Sequence, residues 1–475
     1  MMTAVNVAKA AAALALSILI ARVVPPGEYG LVALAVAVMA LLMLLTDLGL
    51  ASAIVRHPEL DKLQAGSAVG LLAVAGLLAG LVLVALAMPL EAALHMPKLA
   101  DVMIGFGGVA ALSTWATAPR ALLERRLAYG RVSALEGVAL AAGLLAFAAG
   151  VRLGMGILAL VAFHFTLQFL RAVGFTVLAR QHYSIGLSFS RISELARVGG
   201  WVFLTNLLSY SARNVDRMLI AAVLGASSLG LYAFAYQFMT VPLVLITWPA
   251  SGVLLAALSR IPTGSPDRPA VVSAMFTVTA LITFPLMAFF AFGLRFPIEA
   301  FFGDRWSGAA EIIAMMSAAG AAQSLAAYNG AVLVSMGAVR LNFRLALLNG
   351  LGLTAVFALT VNFGIIIMTA SYVIAALCIY CVLIVASCRA VGIGPRVFFG
   401  SMAPGAVATV AGLAAVAATV GFDSGSLREW LSCAAIYGLS AALSIGLTRH
   451  ALRSALRALR RGAPTALTLK EHSLG

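Results

Sequence analysis

Long apolar runs separated by short polar or basic stretches make up almost the whole chain. Runs near the length that an α-helix needs to cross a hydrocarbon core, about 20 residues for about 30 Å, fall at 5–23, 30–55, 66–89, 101–121, 132–150 and 156–180. The second half adds runs at 197–222, 229–258, 270–294, 309–337, 341–361, 365–388, 400–421 and 428–448. Strands of a membrane barrel would show short alternating segments instead, so the pattern predicts fourteen helices and an all-α polytopic membrane protein. The longest connections, 181–196 and 295–308, are too short to fold alone. The first run lacks a charged leader and a small-residue cleavage site and leads straight into the second, so it is expected to be retained as a span.

Composition excludes the alternative of a water-soluble globular domain: of 475 residues, 63% are hydrophobic and 10% charged, with a mean hydropathy of +1.05. The net charge of +14 invites a nucleic-acid partner, but its placement argues for membrane orientation and against nucleic acid. With the amino terminus inside, 22 of the 31 Lys and Arg fall on the cytoplasmic side, six on the other and three, Arg171, Arg213 and Arg217, within runs. The cytoplasmic set includes Arg56, Lys62, Arg120, Arg125, Arg126, Arg131, Arg180, Arg260, Arg268 and the tail from Arg449 to Lys470. This distribution predicts both termini in the cytoplasm.

The chain also repeats itself. LIARVVPPGEYGLVALA from Leu19 aligns without gaps to LIAAVLGASSLGLYAFA from Leu219, an offset of 200 residues at which eight of seventeen positions agree, Gly30 with Gly230 among them. Six runs separate the copies, an even number, so the halves are expected to share orientation and to be related by a pseudo-twofold along the membrane normal, around a central cavity. The domain expectation is an amino-terminal lobe at 1–180, a cytoplasmic connection at 181–196, a second lobe at 197–390, two further helices at 391–449 and a basic tail at 450–475.

Charge inside an apolar run has to be explained. At helical spacing Asn206, Tyr210, Arg213 and Arg217 share a face with Asp216 at its edge, and Asn214 lies beside them. A central Arg costs about 2.5–3.5 kcal/mol on insertion scales, so its default place is a protein interior or a water-filled cavity. The matching first-half positions are Ala13, Leu14, Leu16 and Ser17, so the cavity is asymmetric. The first half offers Arg22 and Arg56 at span ends, Asp47 within a span, and His164, Gln168 and Arg171 on one helical face. Each has two readings. Arg22 and Arg56 either face the cavity or snorkel to lipid phosphate; His164, Gln168 and Arg171 line the cavity or form an inter-helix hydrogen-bond cluster. Asp216 is an ion-coupling group or the charge partner of Arg213 or Arg217. Asp47 is a coupling group, a local cap or a salt-bridge partner. Tyr236 and Gln237, with Tyr232 and Trp248, offer surface for sugar or serve packing.

Absences narrow the class. No P-loop is present and no enzyme site is legible, so the chain reads as a transporter that carries no cofactor rather than as an enzyme. The four cysteines, Cys378, Cys381, Cys388 and Cys433, sit in apolar runs without a nearby His, and are expected to be buried inert thiols rather than metal ligands.

The order of motifs resembles the polysaccharide-transport branch, the Wzx-type flippases, of the multidrug/oligosaccharidyl-lipid/polysaccharide exporter superfamily. The resemblance is carried by LIARVVPPGEYG at Leu19, TDLGLASAIVR at Thr46, ALLERRLAYGRVSALE at Ala121, NVDRMLIAAVLGASSLGLYAFAYQ at Asn214 and FFGDRWSGAAEIIAMMSAAGAAQSL at Phe301. It implies two lobes of helices in a bacterial inner membrane. The implied cargo is an undecaprenyl-diphosphate-linked oligosaccharide, moved from the cytoplasmic to the periplasmic leaflet for O-antigen, capsule or exopolysaccharide synthesis. Membrane lipids, a polysaccharide polymerase and a chain-length regulator are the implied partners. Two other classes remain open: a multidrug or cation antiporter of the same superfamily, with Asp47 and Asp216 as coupling groups, and a non-transporting scaffold of a polysaccharide assembly complex.

Overall fold

The computed structural model describes residues 20–47, 49–56, 60–184, 186, 189–262, 264–419 and 427–447; the side chains of residues 52, 56, 189–213, 427, 441, 443–445 and 447 lie outside that description. The described chain is helical: α1 (Pro26–Asp47), α2 (Leu50–Arg56), α3 (Lys62–Leu94), α4 (Leu99–Arg125), α5 (Tyr129–Arg152), α6 (Leu158–Ala179), α7 (Phe189–Pro242) and α8 (Trp248–Arg260). Then follow α9 (Asp267–Gly293), α10 (Arg295–Phe302), α11 (Ser307–Ala326), α12 (Asn329–Ser335), α13 (Val339–Thr360), α14 (Ile365–Val391), α15 (Pro395–Thr419) and α16 (Leu427–Leu447). Among the described residues there is no strand, and eleven helical stretches are long and apolar enough to cross a membrane. Those eleven coincide with eleven of the fourteen predicted runs. Of the other three, 5–23 lies almost entirely outside the described residues, 197–222 falls in α7 and 428–448 in α16. This is a multi-pass, all-α membrane protein, and large apolar side chains such as Leu77, Leu78, Leu81 and Leu145 face outward, where lipid rather than water receives them.

The chain forms two compact units, one of residues Ile20–Ala233 and one that includes Phe234 onward. In the first, α4 is the central helix, packed against α1, α2, α3 and α6. Small residues permit this. A Cβ on Gly107 would lie 2.9 Å from the Gly80 carbonyl oxygen, and one on Gly76 2.7 Å from that of Ala111, so α3 and α4 meet backbone to backbone, the way spans associate without a hydrophobic driving force. Helix α3 starts at a capping box in which Asp61 Oδ1 accepts from the Gln64 amide at 2.6 Å and Gln64 Oε1 from the Asp61 amide at 3.3 Å. In the second unit, α9 takes the central place against α11, α15 and α16, and α11 packs on α14. Its aromatic knot joins Phe234 to Trp306, Phe302 and Phe238, and Phe238 to Phe290.

Elements recur at a near-constant spacing along the described chain. With an offset near 200 residues, α3 matches α9 and α4 matches α11, and α2 begins at Leu50 where α8 begins at Trp248. The break between runs 197–222 and 229–258 falls at Gly225, whose φ of 82° and ψ of 178° interrupt α7 in a conformation that glycine alone adopts readily. Just beyond it the two repeat copies touch. A side chain on Gly30 would strike the Ala226 carbonyl, and one on Gly230 would strike that of Pro26. Since residues 26 and 226 are themselves repeat mates, the contact is reciprocal, as a local twofold requires.

One expectation needs correction. Cys388 and Cys433 are buried, but Cys378 and Cys381 are exposed on the outer face of α14. An apolar run in a membrane helix does not imply burial, because the acyl chains accept the same side chains that a core would.

Candidate functional site

The first unit holds a cavity of about 570 Å³, within the range of small-molecule sites. Helix α4 supplies Ser113, Ala116, Thr117, Arg120, Ala121 and Glu124, a stripe at spacings of three and four residues. Helix α6 faces it with Gln168, Arg171 and Phe175, one turn apart, and Met43, Ala51 and Val55 from α1 and α2 complete the wall. The α1–α2 corner is fixed by Asp47, whose Oδ1 accepts from the Ala51 amide at 3.3 Å. Arg125 donates to the Ile54 carbonyl at 3.2 Å, which ties the end of α4 to α2. Through Phe175 the wall continues into an apolar cluster that includes Leu50, Ile54, Leu72 and Leu122.

The polar groups of this cavity are not all satisfied from within. Arg171 Nε and Ser113 Oγ are buried and have no hydrogen-bond partner among the described residues. A guanidinium in a helical membrane protein with an unmet N–H is a site for an anion or for water. Arg120 lines the same cavity from α4: its Nε donates to Glu124 Oε1 at 2.8 Å, and its Nη1 lies 3.3 Å from Glu136 Oε1 on α5. Glu136 is 4% exposed.

The predicted residues separate into groups. Gln168 and Arg171 share the cavity, whereas His164, one turn back along α6, sits between the rings of Phe106 and Phe163 at centroid distances of 5.2 and 5.0 Å. Asn214, Asp216 and Arg217 form a second cluster in the same unit. Asp216 is buried and accepts from the Tyr232 hydroxyl at 2.7 Å and from the Arg217 amide at 2.8 Å, and Arg217 Nη1 donates to Asn214 Oδ1 at 3.4 Å. Arg22 is exposed on the helical turn before α1. Arg56 ends α2, and Asn206, Tyr210 and Arg213 lie on α7, with side chains outside the described residues. Tyr236 and Gln237 are half-buried in the other unit.

Sequence reasoning passed over Arg120, Glu124 and Glu136. Arg120 and Glu124 read as flanking charge at a span end, although their spacing of four residues marks a helical ion pair. Glu136 had the stronger signal, being the acidic residue within the run 132–150, where an ionisable group is a functional candidate by default.

Comparison with known proteins agrees with this architecture. A family model described as polysaccharide biosynthesis protein matches residues 19–311. The lipopolysaccharide biosynthesis protein WzxC of Escherichia coli K12 is 21% identical over 328 residues, 68% of this chain and 66% of its own. The succinoglycan biosynthesis transport protein ExoT of Rhizobium meliloti is 23% identical over 309 residues, 63% and 60% of the two chains. The teichuronic acid biosynthesis protein TuaB of Bacillus subtilis is 27% identical over 148 residues, 30% of each. The chain thus spans two thirds or less of the length of these curated relatives. A solved structure of the lipid II flippase MurJ in an inward closed conformation has the same fold, with a TM-score of 0.71 over 94% of this chain and 99% of that one at 12% identity. With its first eleven helices falling within or overlapping the matched region 19–311, the chain belongs to the polysaccharide biosynthesis protein family.

Proposed function

We propose that this protein is a flippase that carries a lipid-linked oligosaccharide across the bacterial inner membrane, both termini cytoplasmic, for a surface polysaccharide, and that it is a transporter rather than an enzyme. The observation that carries the proposal is Arg171, whose buried Nε has no partner among the described residues, on the wall of a cavity of about 570 Å³. A prenyl-linked sugar presents a diphosphate, and arginine's planar fork meets phosphate oxygens with charge-assisted, bidentate bonds, strongest where water is scarce. Gln168, Ser113 and Thr117 beside it offer amide and hydroxyl groups. The names of WzxC and ExoT, tied to lipopolysaccharide and succinoglycan biosynthesis, support the same class of cargo.

In this reading Arg171 receives the diphosphate at the cytoplasmic end of the first unit, while the prenyl tail stays in lipid. Arg213 and Arg217, with Arg22 and Arg56 in support, hold it together with Arg171 in the inward-facing state, before the protein alternates its access. The test is export in cells that lack the endogenous gene. Arg171→Ala at wild-type abundance is expected to reduce surface polysaccharide about tenfold or more, as loss of one charge-assisted interaction implies, with Arg171→Lys intermediate. Full export by Arg171→Ala would remove the cavity from the transport path.

A further inference from the structure

We propose that Arg120 is a second anion-binding side chain of this cavity and that Glu136, behind it on α5, is the positioning residue that aims it. The inference rests on the anion-binding reading above. Arg120 and Arg171 stand on α4 and α6, two helices packed against each other, and both line the cavity. A guanidinium has five N–H groups, and the contacts to Glu124 and Glu136 leave at least three of those on Arg120 without a partner among the described residues.

The two acids have different places. Glu124 lines the cavity one turn beyond Arg120, whereas Glu136 is buried behind it and does not line the wall. Together they hold the guanidinium by two of its edges. That keeps a long, flexible side chain from snorkelling towards the membrane surface. They also offset its charge while the cavity lacks an anion, so that two guanidiniums coexist on adjoining helices. A diphosphate, with two phosphoryl groups to share between two forks, fits this pair better than a monophosphate does. Arg120 is therefore the group that discriminates between them, and Glu136 acts through it.

The test is a titration of the purified full-length protein in nanodiscs with polyprenyl diphosphate, polyprenyl monophosphate and inorganic diphosphate. Wild type is expected to prefer the lipid diphosphate over the monophosphate by about tenfold or more, the value of one charge-assisted hydrogen bond. Arg120→Gln and Glu136→Gln should each abolish that preference, the double variant should do no more than either alone, and Glu136→Asp should retain most of it. Competition by inorganic diphosphate would assign the preference to the free group, and its absence to the lipid-anchored one; either supports the proposal when it depends on Arg120. An unchanged preference in Glu136→Gln, or effects that add in the double variant, would overturn the positioning role. If Glu136→Gln does not fold, Arg120→Lys decides, because it keeps the charge and the acidic partners but loses the fork; a wild-type preference there would overturn the proposal. Binding lost in Arg171→Ala but unchanged in every Arg120 and Glu136 variant refutes this inference and keeps the cavity reading. Absence of diphosphate binding by wild type refutes both.

Discussion

Arginine is put to three uses in this molecule, and what surrounds the guanidinium decides which. Arg268 is 5% exposed and turns Nε and Nη2 to the backbone: both reach the Ile261 carbonyl, at 2.9 and 2.6 Å, and Nη2 reaches that of Leu258 at 2.9 Å, while Nη1 lies 2.7 Å from Met336 Sδ. It closes the carboxyl end of α8, where carbonyls have no partner within the helix. Arg268→Ala would leave those carbonyls buried and unmet. Each bond to a charged donor is worth about 1.5–3 kcal/mol, so its melting temperature in detergent should fall by about 5 °C or more; an unchanged value would show that water replaces the guanidinium without cost. Arg120 is shared between two acids and the cavity, and Arg171 keeps a buried N–H that no described residue meets. In the second polar cluster, Asp216 is bound by Tyr232. Tyr232→Phe removes that donor and is expected to lower stability by about 1–3 kcal/mol, the cost of a buried group left unsatisfied. Denaturation of the purified variant measures it.

Helix-scale organisation follows from where backbone must approach backbone. The reciprocal contact of Gly30 with the segment at Ala226, and of Gly230 with that at Pro26, has no room for a methyl group at either glycine. Gly30→Val and Gly230→Val are therefore expected to weaken the same contact to a similar extent, and to be non-additive in combination because one displacement relieves both. Thermal stability of the single and double variants checks this, and strictly additive losses would contradict a shared contact. The glycine pair was legible as a repeat match in the sequence. That the two glycines touch was not, since an alignment at an offset of 200 residues relates positions without saying which of them lie against each other.

Across the whole molecule, the long runs and their breaks were readable because membrane crossing constrains length and polarity at every residue. The cavity was only half readable. Gln168 and Arg171 were visible through their spacing on one helix, but Arg120 looked like an orienting charge because its partners, Glu136 on another helix above all, are brought to it by packing. His164 followed the same stripe and yet meets Phe106 and Phe163, for periodicity assigns a face to a helix and not the neighbour that each turn of that face encounters. Cys378 and Cys381 show the converse, apolar surroundings in sequence and an outward place in the fold.

The most direct measurement is leaflet-specific accessibility of a fluorescent prenyl-diphosphate oligosaccharide in proteoliposomes that contain the purified protein alone. Wild type is expected to move the probe between leaflets, spontaneously or under an imposed ion gradient, and Arg171→Ala to reduce that movement towards the level of empty vesicles. If wild type moves nothing above empty vesicles with several glycans and imposed gradients, the flippase account is contradicted.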